Sequence, residues 1–153
     1  MILRCDPVIM PAMRGLCVHP YPGHPRGCPN YGRKPGCPPN TRLLSEVYDL
    51  TRPCWLILNA FNLGAHVRRM KRKHPEWSDR QLVCCLYWQG TARKQLEAEI
   101  KRQLDFLEGV RVERCPEAMG LNVTATLAKL GIVLEWPPRK VAHQVAFAGT
   151  LRC

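Results

Sequence analysis

Three thiols, Cys17, Cys28 and Cys37, are separated by ten and then eight residues, in a chain of 153 residues with nine cysteines. Thiolates bind soft metals, and they must converge on the ion, so the backbone between them has to bend sharply. Gly27-Cys28-Pro29-Asn30-Tyr31-Gly32 and Gly36-Cys37-Pro38-Pro39 are turn-forming sequences of that kind. A proline after the cysteine removes a competing donor and stiffens the turn, as at many iron–sulfur ligands; the same dipeptide recurs at Cys115-Pro116. The spacing is not the paired CxxC of a zinc ribbon. An iron–sulfur cluster of the [4Fe–4S] type is therefore the first expectation and zinc the alternative. The competing reading is three buried thiols packed as small hydrophobes. A fourth ligand is open among Cys84, Cys85, Cys5, Cys54, a histidine and an external group. Cys84 and Cys85 fall on an expected helix, where neighbours point about 100° apart, and Cys85 is chosen. His19 and His24, between the first two cysteines and each followed by proline, read as solvated or turn-packing rather than ligating.

The stretch that carries these thiols differs from the rest. Residues 1–42 hold nine of the 14 prolines, Pro22 among them, and several glycines, including Gly23. Such a composition opposes a regular helix or a central strand. A loop this long needs something to offset its ordering entropy, and metal coordination would do so. From residue 43 the pattern becomes ordinary α/β. The expectation is one small domain over 1–153: a cysteine-rich metal-binding loop (1–42) on a core (43–153) with a short mixed sheet and three to four helices. Cys54 to Phe61 reads as a buried strand and Gly64 to His74 as a basic helix stopped by Pro75. Ser78 to Gln81 forms a capping box for a helix reaching about Gln89. Thr91 opens a helix with Leu96, Ile100, Leu104 and Leu107 on one stripe, ahead of Gly109. Val110 to Glu113 suits a strand, Asn122 or Thr124 starts a helix ended by Gly131, Ile132 to Trp136 is strand-like, and Gln144 to Leu151 is a last edge strand.

CPNYGRKPGCPP (residues 28–39) resembles the signature of a group of predicted metal-binding proteins in bacteria and archaea, in which Cys-Pro-Asn-Tyr-Gly is followed by Cys-Pro-Pro. CPEAMGLNVTATLAKLGI (residues 115–132) is similar to that group's C-terminal segment. The two stretches cover about a fifth of the chain. The resemblance implies Cys28 and Cys37 as ligands, with Cys17 by extension, and implies no particular reaction. Larger members carry a ferredoxin-like cysteine run between the two segments; this chain has only Cys84-Cys85 there.

The net charge of +11 is not uniform. Residues 1–42 carry six basic groups against one acid, and residues 64–74 carry Arg68, Arg69, Lys71, Arg72 and Lys73 with none. Clustered Lys and Arg are what phosphate contacts need, and Trp77, Tyr87 and Trp88 lie close enough in sequence to stack on bases. A nucleic acid or another polyanion is the expected partner; a solvated basic face is the alternative. No helix-turn-helix, zinc-finger or RNA-module pattern is present. No apolar run has the ~20 residues of a membrane span, and the first residues lack an export signal, so a reducing cytoplasm is expected, where cysteine clusters bind metal more often than they form disulfides.

Other constellations read as structural. Glu97-x-Glu99-x-Lys101 lies on a helix, where i and i+2 diverge. His66 and His74 flank the basic helix, and Trp55, Trp88 and Trp136 are expected in the core. Glu117 reads as a surface carboxylate, with a supporting role beside Cys115 as the alternative. Two functions remain: a metal-binding protein with a basic face for a polyanion, or an iron–sulfur enzyme of desulfidase or sulfur-transfer type using an open iron on a thiolated base or small molecule.

Overall fold

The computed structural model describes residues 1–21 and 24–153; Pro22 and Gly23 of the Pro/Gly-rich stretch lie outside the described residues. β1 (Ile2–Cys5), β2 (Cys54–Phe61), β3 (Arg111–Glu113) and β4 (Ala142–Gly149) form one sheet in the order β1-β2-β4-β3. All three pairings are antiparallel, so the α/β class holds while the sheet is not mixed in direction. The five α-helices are α1 (Leu44–Val47), α2 (Leu63–Lys73), α3 (Asp79–Leu82), α4 (Gln89–Leu104) and α5 (Val123–Lys129). Short 3-10 segments cover Pro11–Val18, Cys85–Tyr87 and Pro116–Met119. Among the described residues no helix is long and apolar enough to cross a membrane.

The sheet is covered on both faces, which is why β2 is almost continuously apolar rather than alternating. On one face Cys54, Leu56 and Leu58 of β2, with Val145 and Phe147 of β4, pack against Leu44, Tyr48, Leu121 and Leu127. On the other, Ile57, Ala146 and Ala148 pack against Leu96 and Ile100 of α4. The alanines let the helix close on the sheet. Leu56, Ile57 and Phe147 are fully buried, each contributing roughly 1.5–3 kcal/mol of transfer free energy. Farther along the same α4 face, Phe61 stacks on Trp88, with ring centroids 5.3 Å apart.

Several elements depart from the sequence expectations. The first 42 residues are not all loop: β1 pairs with β2 in register Cys5↔Cys54, because Ile-Leu-Arg-Cys precedes the first proline. The Ser78 box forms, with the Ser78 N–H donating to Gln81 Oε1 at 2.9 Å, but α3 ends at Leu82. The chain breaks there to turn Trp88 inward, and the indole Nε1 donates to the Val83 carbonyl at 3.1 Å. Cys84 and Cys85 are thus not on an α-helix; they open the 3-10 turn instead. Ile132 to Trp136 forms no strand: β4 already has β2 and β3 as neighbours, and Glu135 Oε2 accepts from the N–H groups of Arg139 and Lys140 in a turn. Trp136 is 71% exposed rather than in the core. β4 is an interior strand rather than an edge, as its apolar run on both faces requires.

Candidate metal centre

Cys17 lies near the end of the Pro11–Val18 3-10 segment, and backbone pairing fixes where that segment goes. Ile9 bridges to Leu121, Met10 N–H donates to the Gly120 carbonyl at 2.7 Å, and Asn122 N–H donates to the Val8 carbonyl at 2.8 Å. These bonds lay Pro11–Val18 beside Pro116–Met119, and Cys17 and Glu117 line one cavity. Gly120 has φ +84, the left-handed region that favours glycine, at the turn where Leu121 joins the bridge.

Two further ties bring in the other thiols. Cys28 N–H donates to the Cys17 carbonyl at 2.7 Å. Gly27, one residue earlier, has φ +79, and a Cβ there would lie 2.6 Å from the Cys17 carbonyl oxygen. Only glycine allows the two cysteine segments to touch. The Arg14 Nη2 donates to the carbonyls of Pro39 at 2.9 Å and Thr41 at 2.8 Å, fastening the turn after Cys37 onto the 3-10 segment of Cys17. Within that turn the Gly32 N–H donates to the Pro38 carbonyl at 2.8 Å.

The thiols feel one another. Burial raises the Cys17 pKa first, and Cys28, Cys37 and Glu117 raise it further, against Arg14. Cys115 is pushed up to about 11 by burial, then by Glu117, Glu113 and Cys37, against Arg93. The Glu117 carboxyl is raised by burial, with Glu113 adding, although its own backbone N–H pulls the other way. Cys115 and Glu117 are both open to water on one side and crowded by protein on the others. The crowding governs their titration, because it displaces the solvent that would stabilise the charge. Thiols that disfavour each other's ionisation are stabilised as thiolates by a bound cation.

Cys17, Cys28 and Cys37 therefore occupy one neighbourhood, as their spacing suggests, and Cys115 joins them. Cys115 carries the Cys-Pro dipeptide that Cys28 and Cys37 share, while the fourth position is expected from the sequence among Cys84, Cys85, Cys5, Cys54, a histidine and an external group. The charges that act most on Cys85 are Cys84 and Arg93, and the Tyr21 phenol feels both Cys85 and Cys28. Cys85 thus borders the loop. Cys5 and Cys54 form their own pair across β1 and β2: burial raises both, and Cys54 acts on Cys5. His19 is exposed, and His24 packs on Tyr21 with ring centroids 4.7 Å apart. Four thiols make a donor set suited to iron–sulfur or zinc. Their convergence is incomplete, since among the described residues no group of three or more His, Cys, Asp or Glu could hold a metal ion as arranged.

α2 begins at Asn62, whose Oδ1 accepts from the Ala65 N–H at 2.9 Å. It buries Leu63 and His66 and leaves Arg68, Arg69, Lys71, Arg72 and Lys73 exposed. Arg69 Nη2 contacts His66 Nδ1 at 3.2 Å, and Lys71 Nζ donates to the carbonyls of Pro75 and Trp77. Burial, then Arg69, lowers the His66 pKa. Among the described residues Arg68, Arg72 and Lys73 make no ion pair. Beside them His74, Trp77 and Tyr87 form a ladder of rings, with centroids 4.3 and 4.6 Å apart. Trp88 is not part of it, being stacked on Phe61. Glu97 is engaged by Arg114, and Glu99 by Gln103 and Arg102, which accounts for both acids on α4 structurally.

The chain matches no model of a known protein family, no curated protein and no solved structure.

Proposed function

We propose that this protein binds a thiophilic metal centre, an iron–sulfur cluster or zinc, through Cys17, Cys28 and Cys37, with Cys115 as the fourth donor ahead of Cys85. The observation that carries the proposal is the backbone tying of the three segments, Cys28 N–H to the Cys17 carbonyl and Arg14 to the carbonyls after Cys37, together with the action of Cys28 and Cys37 on the Cys17 thiol and of Cys37 on Cys115. The thiols are within electrostatic rather than bonding reach, so loading must draw the side chains together. The test is purification without oxygen followed by metal and sulfide analysis. Iron with labile sulfide is expected, zinc is the alternative, and serine at any of the four cysteines removes the metal. Equal metal content in all four variants would reject the ligand set.

The same protein carries a cationic face for a polyanion, with nucleic acid as the favoured class. Unpaired Arg68, Arg72 and Lys73 supply phosphate contacts, and the Trp77–Tyr87 ladder supplies stacking surface for unpaired bases. Binding to a single-stranded oligonucleotide that weakens steeply with salt supports this part; binding insensitive to salt rejects it.

A further inference from the structure

A cavity of about 640 Å³ opens beside the cysteine segments, on the sheet face that carries Val145 and His143. That volume lies within the ~300–1,000 Å³ of typical small-molecule sites. Its rim is built from large apolar side chains left in water: Leu16 is 54% exposed, Trp136 71% and Tyr21 39%, with Leu134 half-buried between rim and core. Exposed apolar groups arranged around a concavity mark a binding site, in contrast to scattered ones. The lining also supplies a few polar groups, Glu117, Thr124, His143 and the Cys17 thiol. No lysine or arginine lines it, although the chain carries 23 of them. A protein this basic that keeps lysine and arginine out of this cavity has a site poorly suited to an anion.

We propose that this cavity binds a neutral, flat, mainly apolar small molecule, stacked on Trp136 and hydrogen-bonded at one end by His143 or Glu117. Trp136 gives the ring face that a flat ligand needs. Its exposure has a local origin: Glu135 Oε2 accepts from the Arg139 and Lys140 N–H groups and holds the turn that leaves the indole outside the core. The Cys17 thiol in the lining sets one end of the ligand against the cysteine cluster, while Cys28 and Cys37 lie outside the lining.

Titration with Nile red, a neutral and flat fluorophore, tests the proposal. One saturable site per chain with blue-shifted emission is expected. Trp136→Ala and Leu16→Glu should each weaken binding tenfold or more, with circular dichroism and melting unchanged. Phe106→Ala removes the most exposed aromatic outside the cavity and should leave the affinity within twofold. Metal content measured on the same Trp136→Ala protein should equal that of wild type, which separates this inference from the metal reading. The proposal is overturned if no saturable site exists, or if Trp136→Ala and Leu16→Glu bind as wild type does. It is also overturned if Phe106→Ala weakens binding equally, or if the anion anilinonaphthalene sulfonate occupies the Trp136-dependent site more tightly than Nile red.

Discussion

Replacing Gly27 by alanine should pull the two front cysteine segments apart. Two costs apply. The first is conformational: φ at Gly27 is +79, a region that costs a residue with a Cβ roughly 1–2 kcal/mol. The second is steric. The added Cβ would lie 2.6 Å from the Cys17 carbonyl oxygen and 2.8 and 2.9 Å from Val18 backbone atoms, none of which can swing away. Reaching an ordinary van der Waals distance requires a separation of roughly 0.8 Å, which takes the 2.7 Å Cys28–Cys17 hydrogen bond past the ~2.7–3.2 Å range of such bonds. Losing that bond costs about 0.5–1.5 kcal/mol. The total, about 1.5–3.5 kcal/mol, corresponds to roughly 10- to 300-fold lower protection of the Cys28 amide. Hydrogen exchange read by mass spectrometry measures it directly. Two other glycines calibrate the result. Gly32 has φ +68 but nothing within 4 Å of its would-be Cβ, so Gly32→Ala carries the conformational cost alone. Gly36 has neither feature, so Gly36→Ala should be close to neutral. If Gly27→Ala exchanges no faster than Gly32→Ala, the close approach of the cysteine segments is not what demands glycine there, and the reasoning fails.

Other perturbations have equally definite outcomes. Cys115→Ser should lower metal content more than Cys85→Ser does, and Cys153→Ser should leave it unchanged, by elemental analysis of protein prepared without oxygen. Leu121→Ala empties a fully buried position next to the Ile9 bridge and should cost about 2–5 kcal/mol in a urea melt. Reversing Arg68 and Arg72 together to glutamate should weaken oligonucleotide binding and reduce the salt slope by about one for each phosphate no longer neutralised. Burial, with the Cys54 and Asp6 charges, holds the Cys5 thiol up to about 12 from an ordinary 9.0. The fold therefore favours the protonated thiol, and that contribution is complete below about pH 9 and is lost as the pH rises towards about 12. Urea melts of the metal-free protein across that window should show the decline, and Cys5→Ala should flatten it.

The core was legible where a segment's own pattern decides its state. Cys54–Phe61 has the bounds expected of it, because an apolar run entered from Pro53 has no competing structure. Asn62 and Asn122 cap their helices through the side-chain oxygens, as their residue types favour. The basic helix starts at Leu63, one residue from the expected Gly64. What could not be read locally was set by distant partners. β4 looks like an edge until β3, only three residues long, is seen to cover it. The helix expected to reach Gln89 stops because Trp88 belongs to Phe61, 27 residues earlier. Trp136 had a core residue's composition and a rim residue's address. At the candidate site the three front cysteines were visible from spacing and turn residues. For Cys115 the sequence offers only the shared Cys-Pro dipeptide, and its place near Cys37 rests on tertiary pairing such as the bridge between Ile9 and Leu121, which no sequence window contains.

That bridge joins residues more than a hundred positions apart, and it sets a timetable for the growing chain. Cys17, Cys28 and Cys37 emerge together and need only short closures to meet, whereas a ring closed at Ile9 and Leu121 carries a larger entropic cost and cannot form until Leu121 has been made. A nascent chain paused before Leu121 thus displays its first thiols unguarded, at the stage when air oxidation or pairing with the wrong cysteine does most harm. Synthesis in a reducing setting, or early capture of those thiols, would protect the product until the late segment closes over them.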